Sequence, residues 1–95
     1  MNTLIDRFLK GCANRTEQRF WIGRTYGYMQ YYSDDETVRL WGNLSSYRLP
    51  RKIQDVPHLD LVAKVWEMET TRNVAPSRDE MLELMEGMNG NKAIG

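Results

Sequence analysis

The hydrophobic positions change their period along the chain. Between residues 3 and 18, Leu4, Ile5, Phe8, Leu9 and Cys12 recur at three- and four-residue intervals, the spacing of one buried stripe on an α-helix. Thr3 is placed to cap that helix, and Asp6 three residues on meets its positive end. Gly11 costs a helix about 1 kcal/mol relative to Ala. Either the helix stops there, with Ala13–Arg19 as a further turn or a loop, or it runs on to residue 18.

From Phe20 to Tyr32 the pattern shifts to period two in residues of high β propensity, which predicts a strand. One face carries Phe20, Ile22, Arg24, Tyr26, Tyr28, Gln30 and Tyr32, and the other Trp21, Gly23, Thr25, Gly27, Met29 and Tyr31. Gly23 and Gly27 inside a strand mark a bulge or a close approach to the backbone. A turn at Ser33-Asp34-Asp35-Glu36 leads to a second strand over Thr37–Leu44, with Val38, Leu40 and Leu44 on one face and Arg39 and Trp41 on the other. A third short strand near Ser46–Leu49 is stopped by Pro50.

Beyond the connection Arg51–Val56 a helix is expected from Pro57 to about Thr70. Its polar positions Asp60, Lys64, Glu67 and Thr71 recur at intervals of four, three and four, leaving a narrow wet stripe on a mostly buried surface. A strand through Leu59, Leu61, Ala63 and Val65 also alternates, so that alternative stays open here. Asn73-Val74-Ala75-Pro76 is a break. Ser77-Arg78-Asp79-Glu80 has the form of a capping box, opening a last helix with Met81, Leu82, Leu84, Met85 and Met88 inward. Gly87 or Gly90 is placed to end it, with a mobile tail over about 89–95. The expected fold is α+β and one domain over 1–95: an N-terminal helix, an antiparallel hairpin or three-stranded sheet, and two C-terminal helices.

Charge adds an asymmetry to this plan. The chain has thirteen basic and thirteen acidic residues. Residues 1–52 hold nine Lys/Arg against five Asp/Glu, a net +4, and residues 53–95 four against eight, a net −4. Such a division steers a charged partner to the front half or lets the halves attract each other. Zero net charge lowers the expectation of a general nucleic-acid binder. The lone Cys12 excludes an internal disulfide and a multi-cysteine zinc site. With neither a signal peptide nor an apolar membrane span in view, a cytoplasmic protein is expected.

Eight of the ten aromatic residues fall between Phe20 and Tyr47, interleaved with Arg19, Arg24, Arg39, Arg48, Arg51 and Lys52. The plainer reading is an aromatic core with arginines in solvent. The functional reading is a docking face of Trp21, Arg24, Tyr28, Tyr31, Arg39 and Trp41, residue types that dominate protein interfaces. The same types bind single-stranded nucleic acid by stacking bases and meeting phosphates. A small non-enzymatic protein-binding protein is the leading expectation. It would be of inhibitor or adaptor type, such as a phage accessory protein, and a second copy of the chain is a candidate to cover the face. Single-stranded nucleic-acid binding by that face is the alternative.

The remaining chemistry is sparse. Asp34-Asp35-Glu36 lacks the spacing of a calcium loop, His58 has no partner brought to it by the local sequence, and Cys12 lies on an apolar stripe. Neither a metal site nor a cofactor is expected. The run Ala75-Pro76-Ser77-Arg78-Asp79-Glu80-Met81 resembles the start of the second helix in winged helix-turn-helix repressors, over about thirty residues. The chain reaches Gly95 where a recognition helix would lie, and Asp79, Glu80, Glu83 and Glu86 repel phosphate, so the resemblance implies no DNA-contact residues here.

Overall fold

The structure, a computed structural model, describes residues 3–33 and 51–94, excepting the side chains of Thr3 and of residues 87–94. Its elements are α1 (Thr3–Gly11), α2 (Arg15–Tyr32), a 3-10 turn (Ile53–Asp55), α3 (Leu59–Arg72) and α4 (Arg78–Ile94). Among the described residues there is no strand. The described residues are therefore all-helical, and the expected α+β class with its β-hairpin is overturned, since the first strand of that hairpin is a helix. The first predicted strand lies wholly within α2. The second and third, at Thr37–Leu44 and Ser46–Leu49, lie outside the described residues.

The reason α2 is a helix is visible in what it buries. Ile22, Thr25, Tyr26 and Met29 are its buried residues, and their intervals of three, one and three belong to a helix face. Alternation of apolar residues was real but incidental, because aromatic residues also cover the half-exposed flanks. Their β propensity is a preference for a packed surface, which tertiary packing overrides. The start of α2 is fixed by Asn14, whose Oδ1 accepts from the Glu17 amide at 3.0 Å. Glu17 Oε2 reaches back to accept from the Ala13 amide at 2.8 Å, so two otherwise orphaned donors are satisfied at once. At the other end Ser33 leaves the helix in extended backbone, its amide still bonded to the Met29 carbonyl.

Gly11 does end the first helix. Phe8 is fully buried and Leu4, Ile5 and Leu9 pack against the core, as the stripe requires. The segment from Pro57 onward is helical, not a strand, beginning at Leu59 after His58. It is buried almost all round at Leu59, Leu61, Val62, Ala63 and Val65, because α1 and α2 both pack on it. Burial on several sides is why its sequence alternated as well as a strand would. Asp60, Lys64 and Thr71 are exposed and Glu67 half-buried, the wet stripe expected of it. The buried hydroxyl of Tyr26 donates to the Pro57 carbonyl, tying α2 to the chain entering α3.

Asn73, in left-handed backbone at φ 57°, closes α3, a conformation Asn tolerates better than most residues. The capping box is formed: Ser77 Oγ accepts from the Glu80 amide at 3.2 Å, and Glu80 Oε1 from the Ser77 amide at 2.8 Å. Helix α4 then sets Met81 and Met85 in the core, with Leu82 and Leu84 half-buried. It continues through Gly87 and Gly90 to Ile94, so neither glycine ends it. Phe8, Ile22, Tyr26, Met29, Val62, Val65 and Met81 meet in one centre, each such side chain contributing about 1.5–3 kcal/mol by leaving water.

Candidate functional site

The flank of α2 beside α3 carries a ladder of side chains four residues apart. Phe20, Arg24, Tyr28 and Tyr32 follow each other along the helix, where residues i and i+4 are neighbours. The guanidinium carbon of Arg24 lies 5.9 Å from the Phe20 ring centre and 5.3 Å from that of Tyr28, within reach for a cation–π attraction to each. Tyr28 and Tyr32 are stacked at 6.0 Å with planes 17° apart. Tyr31 meets Tyr32 edge-on at 5.0 Å, and Trp21 meets Phe20 edge-on at 5.4 Å.

The ladder is held from α3 by Glu69. Arg24 donates to it twice, Nε to Oε2 at 2.7 Å and Nη2 to Oε1 at 2.8 Å, the fork geometry that makes Arg–carboxylate pairs directional. Tyr28 adds its hydroxyl, donating to Oε2 at 3.2 Å. The hydrogen bond to Glu69 raises the Arg24 pKa further above its ordinary value. Burial first, then the Glu69 charge, raises that of Tyr28. Both groups therefore stay protonated as donors. Glu69's side chain is 9% exposed and Arg24's 37%, so the carboxylate is the deeper partner and depends on the cation for its neutralisation.

Two rings of this flank face water. Phe20 is 56% exposed and Tyr31 81%, while Trp21, Tyr28 and Tyr32 rest partly on the core. Gly23 and Gly27 are exposed beside them, and a Cβ built on either meets nothing within 4 Å. The outer surface of α2 is thus a bare backbone strip bordered by exposed aromatic rings.

Of the residues the sequence singled out, Trp21, Arg24, Tyr28 and Tyr31 are brought onto this one helix. Arg39 and Trp41 lie outside the described residues, as does the acidic turn from Asp34 to Glu36. The first strand of the face that was to hold all six is a helix, and the four described residues share it. Phe20, Tyr32 and Glu69 were missed. The four-residue spacing of Phe20, Arg24, Tyr28 and Tyr32 was a signal in plain view, hidden by reading the segment with period two. Nothing local marks Glu69, which reaches Arg24 across 45 positions of chain.

The other candidates offer less. Cys12 is buried and its thiol is pushed up to about 11 by burial and by the Glu17 charge, the opposite of activation. His58 caps α3 in left-handed backbone at φ 58°, and burial lowers its pKa, opposed by Asp60. An open groove of about 520 Å³ runs between α1 and α3, lined by Arg7, Glu67, Met68, Thr71 and Arg72. Its guanidinium groups are already engaged, Arg7 with Glu67 at 2.8 Å and Arg72 with Glu80 at 2.6 Å. Among the described residues no three His, Cys, Asp or Glu side chains gather as a metal would need, and no helix is long and apolar enough to cross a membrane. Set against known proteins, the chain matches no family model, no curated protein and no solved structure.

Proposed function

We propose that this chain is a non-enzymatic binding protein that takes a protein partner on the outer surface of α2. The observation that carries the reading is the ladder itself: Glu69 holds Arg24 and Tyr28 in fixed positions, while Phe20 and Tyr31 beside them stand in water. Rings exposed on a rigid support bring contact area without a large loss of side-chain freedom on binding. Tyr, Trp and Arg are the types that anchor such contacts. Single-stranded nucleic acid draws less support from the same surface, because the guanidinium best placed among the rings is already neutralised by a carboxylate.

The test is site-specific photo-crosslinking in cells carrying the chain. A photoreactive phenylalanine analogue in place of Tyr31 is expected to give a discrete protein adduct. The same analogue in place of Lys64, exposed on α3, is expected to give none. Phe20→Ser and Tyr31→Ser should retain the helical spectrum and lose the partner. Equal adducts at both positions, or an adduct removed by nuclease, overturn the reading.

A further inference from the structure

Internal ion pairs absorb part of the charge division between the two halves of the chain. Arg7 pairs with Glu67 and Arg24 with Glu69, each a cation of the front half on an acid of the back half. Four cations of the front half lie at the corner where α2 begins. Arg15 donates to the backbone carbonyl of Arg51, which brings residues 36 positions apart together. Arg19 stands one helical turn above Arg15, and Lys52 follows Arg51. All four are exposed. Arg19, Arg51 and Lys52 take part in none of the ion pairs among the described residues. The acids nearest in the chain are Glu17, which is turned to the Ala13 amide, and Asp55 in the 3-10 turn. The next residue after Arg19 is Phe20, the more than half-exposed foot of the ladder.

We infer that this corner receives an acidic segment of the protein partner, in which Asp or Glu residues flank one large apolar side chain. The inference rests on the reading that the outer surface of α2 takes a protein. Carboxylates of the segment meet Arg19, Arg51 and Lys52, with Arg15 holding the Arg51 backbone in place, and its apolar side chain covers Phe20. Charge complementarity of this kind sets orientation and association rate more than raw affinity, while the ring supplies the area. A nucleic-acid backbone fits less well. The zero net charge of the chain supplies no general attraction for a long polyanion, whereas a short acidic segment needs only the corner.

A random dodecapeptide library panned on the intact chain at physiological ionic strength tests this. Enriched peptides are expected to carry excess Asp and Glu around a large apolar residue. A synthetic peptide of the enriched sequence should bind about tenfold more weakly to Arg19→Glu/Lys52→Glu, and more weakly as salt rises. Lys64→Glu on α3 should leave its binding unchanged. Enriched peptides without acidic excess, insensitive to the charge reversal but lost on Phe20→Ser and Tyr31→Ser, overturn the inference and leave the protein-binding reading standing. Absence of any enriched peptide overturns both. If a mixed-sequence single-stranded oligonucleotide binds instead and is released by the same reversal, the corner serves phosphate, and the acidic partner is wrong.

Discussion

The indole of Trp66 fills the space that a side chain on Gly11 would need: a Cβ built there lies 2.4 Å from Cζ2. The glycine that ends α1 thus lets α3 bring its tryptophan against the first helix, where the ring meets Phe8 edge-on at 5.7 Å. Propensity alone says that Gly11→Ala stabilises a helix by about 1 kcal/mol. The overlap must push Trp66 off Phe8, and overpacking of this kind costs about 1–3 kcal/mol. We expect a net loss of about 1 kcal/mol in urea unfolding, and a smaller loss when Trp66→Leu is already present. A more stable Gly11→Ala variant would show that the ring moves freely.

The Arg24–Glu69 pair is expected to respond unequally to removal of its two ends. Glu69→Gln leaves Arg24 with its guanidinium still open to water, a loss of about 1–2 kcal/mol for charged hydrogen bonds at a half-exposed site. Arg24→Met leaves the carboxylate, 9% exposed, without its cation, and unpaired charge away from water costs more than a lost bond. Denaturant titration of the two variants checks the order. Equal losses below about 0.5 kcal/mol would mean that solvent screens the pair as it does surface ion pairs, and that the ladder is not held from α3.

What the sequence revealed follows from how local each determinant is. The stop at Gly11 was one of two readings the local sequence left open, whereas the capping box at Ser77 and Glu80 and the wet stripe of α3 are written in residues three or four apart, and each was readable. Helix α2 was not, although Asn14 and Glu17 carried a starting signal of the same kind, because its aromatic residues satisfy either period over a short window. The choice between them is made by α3 and α4 packing on Ile22, Tyr26 and Met29. Sequence composition put aromatic and arginine side chains in one candidate surface on a two-stranded face; Trp21, Arg24, Tyr28 and Tyr31 lie instead on the helix that takes the place of its first strand. The partner that orders them, Glu69, is fixed only by tertiary structure and leaves no mark within its own segment.

Gly23 and Gly27 give a prediction of opposite sign to Gly11. Both sit within α2, and a Cβ on either has open space around it. Each Gly→Ala change removes freedom from the unfolded chain and adds helix propensity, stabilising by about 0.5–1 kcal/mol. Thermal unfolding of the single and double variants checks this, the two effects adding approximately if the sites act independently. If the same variants weaken partner binding while stabilising the fold, the partner approaches the α2 backbone closely. A loss of stability instead would mean that the surface is already occupied in the free protein.

Acid should destabilise the fold in two separable steps. Burial lowers the His58 pKa below its ordinary 6.5, so the unfolded chain binds a proton there before the folded one does. Stability is then full above pH 6.5 and declines as pH falls from that value toward the lower folded pKa. The carboxyl of Glu80 is pulled from 4.5 to about 2, first by its hydrogen bonds from Arg72 and then by the Ser77 amide. Its contribution is present above pH 4.5 and is lost between there and about 2. Thermal midpoints across this range should fall in both windows for the native chain. His58→Asn, whose side chain tolerates left-handed backbone, should flatten the upper window alone, and Glu80→Gln the lower. A Glu80→Gln variant with an unchanged acid limb would show that the Arg72 pair does not persist in solution.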